Sequence, residues 1–251
     1  MDQNNPKFPF HDSARIDFSN LIDLHDVPER KPGKDGTFTA PAIIITNSPI
    51  LPNSLTTMTV ASDAIILPSL TQAWEETSTV IGVFDDDSKK TKKFLSLGIE
   101  FAPGEPIQTD KDTVSFIVQS RRRVEILDIF VDEDDVLFAT AALLKIPKRR
   151  SKEIQATMRQ VLKYFEKFAQ LTPHLPPSVI QFVRQIEDPA ELADMVAASI
   201  NLKNKQQMEI ITAVDPIDRI NTALRFIKHE VELLELEAEI NDRVQQELDQ
   251  G

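Results

Sequence analysis

The sequence predicts an α+β fold in which a mostly β lobe is followed by a helical lobe that ends in a long helix. Short runs rich in β-branched and aromatic residues fill residues 41–146. From residue 147 onward these runs give way to apolar residues that recur at spacings of three and four. Neither proline nor glycine interrupts residues 217–249, so the last helix is predicted to be continuous.

Residues 1–40 are predicted to form a flexible leader. Prolines and glycines are mixed with charged residues there, and no period of 2 or 3.6 is sustained, except for one patch near residues 16–24 that we expect to be ordered.

Residues 41–146 are predicted to form the β lobe. Its candidate strands are separated by turn-forming stretches, one of which is "PGEPIQTDKD". One short helix is expected from Ser69, because Leu70, Ala73 and Trp74 follow at helical spacing. The strand runs are "AIIIT", "SLTTMTV", "STVIGVF", "KKFLSLGIEF", "TVSFIVQS", "RRRVEILDIF" and "DVLFATAALL".

The helical lobe is predicted to cover residues 147–214. An amphipathic helix should begin at Ser151, and "SVIQFVRQI" should form a shorter helix with Ser178 as its N-cap. The phrases "EDPAE" and "VDPID" each place an aspartate before a proline, at Asp188 and Asp215. An aspartate N-cap followed by proline in the first turn is a strong helix start, so two firmly started helices are expected.

Residues 215–251 are predicted to form a long C-terminal helix whose second half projects. Its first half carries an apolar seam at heptad spacing, typical of a coiled coil, which we expect to act as an assembly helix. After this seam the apolar stripe drifts, and a projecting apolar stripe requires a partner. The seam residues are Ile220, Leu224, Ile227, Val231 and Leu234, and the later stripe is Leu233, Leu236, Ile240 and Val244.

Composition excludes several classes of function. The chain has no cysteine, which rules out disulfides, thiolate metal sites and cysteine nucleophiles, and a cytoplasmic location is predicted. Its net charge of −12 should repel nucleic acid. No apolar run is long enough to predict a membrane span.

Motif searches predict no catalytic residue, no metal site and no cofactor. The only Gly-Lys pair, Gly33-Lys34, lacks the glycine and the hydroxyl residue of a phosphate-binding loop. The four histidines are not at metal-ligand spacing, and no G-x-S-x-G occurs. "SRRRVEIL" is compatible either with an anion-binding basic patch or with solvated arginines at the start of a strand.

The helical half resembles the end of the amino-terminal domain of the Lon ATP-dependent protease family. The shared features are the paired prolines at 176–177, I-x-D-P followed by L-A-D over residues 186–194, and E-x-E-L-L-E-L-E over residues 230–237. The β half is a weaker match, in which "APAIIITNSPILPNSLTTMTV" and "SFIVQSRRRVEIL" stand where family members carry an opening strand phrase and a later arginine-containing strand.

This resemblance implies a PUA-like β pseudo-barrel lobe, a helical bundle lobe and a long helix that leads toward an ATPase and a serine peptidase. It implies that the chain, without catalysis of its own, recognises unfolded or tagged proteins for protein quality control and helps to organise a hexamer. Its partners would be these substrates and the rest of a Lon-like enzyme, without nucleic acid or membrane contact.

Five residues of the β lobe are the candidate substrate contacts: Ile50, Leu51, Leu55, Leu70 and Trp74. Two other interpretations remain open. The chain could be a stand-alone adaptor or regulator that binds a partner through its terminal helix, or a hydrolase with its site on the β lobe.

Overall fold

A computed structural model describes residues 27–46, 49–85, 94–146, 151–173 and 175–249, with side chains up to residue 246. The patch expected near residues 16–24 lies outside these ranges. The described residues divide into two compact units at residue 145. The first contains the strands and one helix, and the second contains five helices. The fold is therefore mixed α+β, as predicted.

Seven strands of the described chain form one sheet in the first unit. The two adjacent predicted runs "TVSFIVQS" and "RRRVEILDIF" form a single 19-residue strand, β6, which continues through Ser120 and Arg121 without a break. A short strand, β5, lies in the stretch predicted as a loop. The strands are β1 (Thr37–Ile45), β2 (Leu55–Ala61), β3 (Val80–Asp85), β4 (Phe94–Pro103), β5 (Ile107–Asp110), β6 (Thr113–Val131) and β7 (Leu137–Leu143).

The long strand β6 closes this sheet on itself. Its middle pairs with β4, and its second half pairs with β7, which in turn pairs with β1. Because β1 pairs with β3 and β3 with β4, five strands form a ring, while β2 and β5 pair with the first half of β6. The residues that fill the ring include Ala40, Ile81, Val83, Val124 and Ala141.

The ring packs closely because glycines lie on two neighbouring strands. A Cβ on Gly98 would come within 2.8 Å of the backbone oxygen of Gly82, and a Cβ on Gly82 would meet the side chain of Ile45. A larger residue at Gly98 would therefore push β3 and β4 apart.

Two boundaries differ from the sequence prediction. Helix α1 spans Leu67–Glu75, so it begins two residues before Ser69, with a proline in its first turn. Its buried residues Leu70 and Ala73 pack toward β1, β3 and β4. Strand β1 begins at Thr37, so the predicted boundary of the leader at residue 40 is too far along the chain.

The second unit consists of α2 (Lys152–Leu171), α3 (Pro177–Gln185), α4 (Pro189–Ser199), α5 (Asn204–Thr212) and α6 (Pro216–Asp249). The predicted caps of α2 and α4 are confirmed: Ser151 accepts a hydrogen bond from the N–H of Ile154, and Asp188 accepts from Ala190 and Glu191. Asp215 accepts from the N–H of Ile217 at the start of α6. Ser178 is not a cap, because α3 begins one residue earlier at Pro177.

Candidate functional site

The five predicted substrate contacts do not form an exposed surface. Ile50, Leu51 and Leu70 are buried in the first unit, whereas Leu55 and Trp74 are half-buried. The sequence cannot distinguish a core residue from a contact residue when both are apolar and lie near loops. If a polypeptide ligand binds the folded unit through apolar contacts, it must use apolar side chains that are more exposed than these five.

Three of the exposed apolar side chains of the first unit, Leu127, Phe130 and Val131, lie toward the far end of the β6–β7 hairpin. We call Leu127, Phe130, Val131 and Phe138 the hairpin patch; the strand pairing places Phe130 and Phe138 on one face of the hairpin and Val131 on the other, so the patch includes both faces of its end. Leu127 is 51% exposed, Phe130 41% and Val131 56%. Phe130 stacks on Phe138 from the opposite strand, with ring centroids 5.9 Å apart. An aromatic pair held by strand pairing is a rigid apolar surface.

A break in strand alternation explains why so many apolar residues are exposed there. The β6–β7 register shifts between Ile126 and Asp128, which leaves Leu127 as an extra residue in a β-bulge. Before and after the bulge, Ile126 and Ile129 face the core, so Phe130 faces outward. Consecutive apolar residues in "EILDIFV" are the signal that could have identified this patch from the sequence.

The turn beyond the patch is acidic and held in place by one side chain. Asp132 Oδ1 accepts hydrogen bonds from the backbone N–H groups of Asp134 and Val136, at 3.0 and 2.8 Å. Asp135 adopts a left-handed backbone with φ of 61°. Glu133, Asp134 and Asp135 are exposed. The hairpin therefore places a fixed group of negative charges beside the apolar patch.

A buried carboxylate organises the other end of this unit. Glu100 is fully buried on β4, and its Oε1 accepts from the Thr79 hydroxyl at 2.6 Å and from the Arg30 backbone N–H at 2.8 Å. Its Oε2 accepts from Arg122 Nε at 2.7 Å. Arg122 also pairs with the exposed Glu29 at 2.8 Å. Both carboxylate oxygens are thus satisfied, as a buried charge requires.

The same arginines hold residues 27–32 against the ring. Arg122 donates to the Arg30 carbonyl at 2.6 Å, and Arg121 donates to the Val27 carbonyl at 3.1 Å. Burial lowers the pKa of the Arg30 guanidinium, while Glu76 and Glu100 raise it. Arg122 is neither part of an anion-binding patch nor a solvated arginine, the two interpretations of "SRRRVEIL", because its guanidinium forms ion pairs with Glu100 and Glu29. This network is a structural clamp.

In the second unit, most of the predicted assembly seam is covered by the unit's own helices. Ile220, Ile227 and Val231 are buried, since α6 packs against α2 and α4, whereas Leu224 and Leu234 are half-buried. The later stripe is exposed, with each side chain about half accessible: Leu233, Leu236, Ile240 and Val244.

A buried ion pair fixes the start of α6. Arg219 Nη1 lies 3.1 Å from Asp194 Oδ2 on α4, and Arg219 also donates to the carbonyls of Ala213 and Val214. These contacts tie the α5–α6 connection to α4, which defines the direction in which α6 leaves the unit's core.

An open groove of about 580 Å³ along α5 and α6 is lined by Gln206, Lys228, His229 and Glu232, among others, without serine, threonine or cysteine. No three acidic or histidine side chains in the described ranges could hold a metal ion. No helix there is both long and apolar enough to cross a membrane.

Taken together, these features define a two-unit α+β domain with exposed apolar surfaces on a β-hairpin and on a terminal helix. Residues 39–229 match the ATP-dependent protease La (LON) substrate-binding domain. Because this match covers most of the chain, the chain belongs to the Lon protease family. It corresponds to the amino-terminal domain of that family.

Curated relatives and solved structures agree with this assignment. The chain is 28% identical over 158 residues to the Lon protease of Brevibacillus choshinensis, covering 63% of this chain and 20% of that protein. It is 32% identical over 132 residues to the Lon protease of Elusimicrobium minutum, covering 53% of this chain and 16% of that protein. The chain thus spans about a fifth of the length of such relatives.

Two solved structures have a similar fold. The N-terminal domain of a Mycobacterium avium complex Lon protease superposes with a TM-score of 0.63 at 18% identity, over 76% of this chain and 98% of that structure. A Lon N-terminal domain protein from Xanthomonas campestris gives a TM-score of 0.51 at 12% identity, over 75% and 98%.

Proposed function

We propose that this chain is the substrate-recognition domain of a Lon-like ATP-dependent protease and that it captures unfolded proteins through the hairpin patch. The observation that carries this proposal is the exposure of three apolar side chains, Leu127, Phe130 and Val131, at the end of one hairpin. Exposed apolar clusters on a folded domain are characteristic of interaction sites. Family membership supports the same function, since the matched domain is described as substrate-binding.

The chemistry of the hairpin favours a particular kind of segment. The patch would bind aliphatic and aromatic side chains, which folded proteins bury and unfolded proteins expose. The neighbouring acidic turn, with Glu133, Asp134 and Asp135, would favour lysine or arginine next to those apolar residues. The net charge of −12 acts in the same direction. Binding should therefore weaken as salt is raised.

Substitution of the patch residues tests this function. In the 251-residue chain, Phe130→Thr combined with Val131→Thr should weaken binding of a fluorescein-labelled, reduced and carboxymethylated protein about tenfold, measured by fluorescence anisotropy. This size follows from the loss of about 1.5–3 kcal/mol when one large apolar side chain no longer buries its surface. Threonine preserves strand propensity.

The matched control is Ile65→Thr, because Ile65 is also apolar and is 81% exposed in the same unit. This variant should bind like the wild type. Equal binding by the hairpin variant and the wild type would refute the hairpin as the capture site, and so would equal weakening by Ile65→Thr.

The second unit supplies the assembly part of the proposal. The exposed stripe on α6 contacts another copy of the chain and helps to organise the hexamer of a full-length enzyme. The peptidase part of that enzyme then cleaves the captured protein in an ATP-dependent manner. This activity serves protein quality control in the cytoplasm. The closed ring of strands fits a PUA-like β lobe, and the five packed helices fit a bundle lobe.

The exposed α6 stripe also favours the alternative function, a stand-alone adaptor or regulator that binds a different partner through this helix. The two functions differ in what covers Leu236 and Ile240. Self-association of the purified chain through these residues supports the first.

A further inference from the structure

Strand β2 is an edge strand of the sheet that the described residues form. Among the described residues, β2 pairs with β6 along one side only and ends the sheet on the other. Its sequence, LTTMTVA, contains no charge, proline or glycine. Edge strands of natural proteins normally carry such features, because an unpaired strand edge is a template for another strand.

The direction of the β2 backbone groups follows from the bonds at the ends of the strand. Ser120 N–H donates to the Ser54 carbonyl at 2.9 Å, and Ser62 N–H donates to the Asp112 carbonyl at 2.8 Å. In an antiparallel pair, hydrogen-bonded positions alternate with non-bonded ones. The even-numbered residues of β2 thus bond to β6, and Leu55, Thr57 and Thr59 direct their N–H and C=O groups outward.

The edge is also open. Thr57 and Thr59 are exposed, as are Thr56 and Ala61, so residues on both faces of the strand are accessible. The carbonyl of Ala61 is already bonded to the Ala64 N–H, which ends the free edge at that residue.

The other edge strand, β5, is protected in the usual ways. It has four residues, its pairing with β6 is interrupted by a register shift between Gln108 and Asp110, and it ends on the charged Asp110. A short, bulged and charged edge resists strand addition. The contrast with the regular, uncharged β2 singles out one edge of the unit.

We propose that β2 binds an extended segment of an unfolded protein as an additional β-strand, through backbone hydrogen bonds at Thr57 and Thr59. This inference rests on the proposed function and adds its mode of binding. The threonines offer little side-chain discrimination, so recognition of the client backbone accounts for capture of many sequences. An extended client supplies hydrogen-bond partners for the outward N–H and C=O groups of this edge.

A proline substitution on the outward-facing register tests this inference. Thr57→Pro removes an N–H that points away from β6, so the ladder to β6 stays intact and the chain should remain folded. It should weaken binding of the carboxymethylated probe about tenfold. Thr57→Val is the matched control, since it keeps the N–H group and the strand propensity, and it should bind like the wild type.

Amide hydrogen exchange, measured by NMR on the unsubstituted chain, gives a second readout that does not depend on a variant's folding. Without probe, the N–H groups of Thr57 and Thr59 should exchange quickly and those of Thr56 and Met58 slowly. With excess probe, only the first pair should gain protection. This alternation is specific to strand addition, because burial under a bound side chain would not follow the register.

Each outcome separates this inference from the proposed function. Unchanged binding by Thr57→Pro, or no gain in protection at Thr57 and Thr59, overturns strand addition. In that case a loss of binding in the Phe130→Thr, Val131→Thr variant still supports capture by the hairpin. Protection that develops with chain concentration, without probe, would identify a second copy as the occupant and would also overturn the inference.

Discussion

At the scale of single residues, the buried Glu100 explains how a β-rich unit holds the segment that precedes its first strand. The carboxylate receives hydrogen bonds from Thr79, Arg30 and Arg122, which come from three separate parts of the chain. Removing Glu100 would leave the Thr79 hydroxyl and the Arg30 backbone N–H without their acceptor and would leave Arg122 with only the exposed Glu29. Stability, rather than chemistry, is therefore the role of this cluster.

We expect Glu100→Ala to lower the free energy of unfolding by about 3 kcal/mol, because Arg122 loses its buried carboxylate partner and the Thr79 hydroxyl and Arg30 backbone N–H lose their acceptor. Glu29→Ala is the control: it removes the exposed partner of the same arginine and should cost below about 1 kcal/mol. Denaturant unfolding can be followed by the fluorescence of Trp74, the only tryptophan, which lies in α1 of this unit. Similar losses in the two variants would contradict the clamp.

Single residues also mark the limits of prediction from the sequence. The caps Ser151 and Asp188 were predicted because a cap depends on a local pattern of a few residues. Ile50, Leu51 and Leu70 were proposed as contacts, yet they are buried. Burial depends on which elements pack together, and local spacing does not contain that information.

At the scale of elements, β6 and α6 show why element type was easier to predict than element role. Helix α6 followed from its pattern, whereas the residues of β6 were predicted as two runs that meet between Ser120 and Arg121 and form one strand in the structure. The heptad positions of α6 suggested an external seam, although α2 and α4 cover Ile220, Ile227 and Val231. A periodic stripe identifies a buried face without identifying what buries it.

The exposed stripe on α6 has spacings of three, four and four, which is eleven residues in three turns. Such spacing follows a nearly straight helix rather than a left-handed coiled coil. Acidic residues flank it, including Glu232, Glu235 and Glu239. Contact between two copies should therefore strengthen when salt screens their repulsion.

We expect the chain to self-associate reversibly at concentrations of about 100 µM, and more so at about 0.5 M than at about 0.1 M salt. Leu236→Gln combined with Ile240→Gln should abolish this association, since glutamine preserves the helix and removes the apolar contact. Sedimentation equilibrium measures both effects. As a control, Leu127→Thr in the other unit should associate normally; a monomeric wild type at both salt concentrations would contradict assembly through α6.

At the scale of the whole molecule, the two units carry different parts of the proposed function. The first unit presents the hairpin patch and the edge strand β2 of the described sheet, and the second unit presents the exposed α6 stripe. Family membership was predictable because its motifs lie in the helical half, within continuous stretches of sequence. The proposed capture surface was not, because it depends on a bulge and a strand pairing between residues that are distant in the sequence.

Site-specific crosslinking tests capture by the hairpin most directly. The chain has no cysteine, so Val131→Cys carries a benzophenone label at one defined position, and Lys205→Cys on α5 serves as the control. We predict that the carboxymethylated protein crosslinks to position 131 and not to position 205, and that the same protein in its folded form crosslinks to neither. Equal crosslinking at both positions, or none at 131, would contradict capture by the hairpin patch.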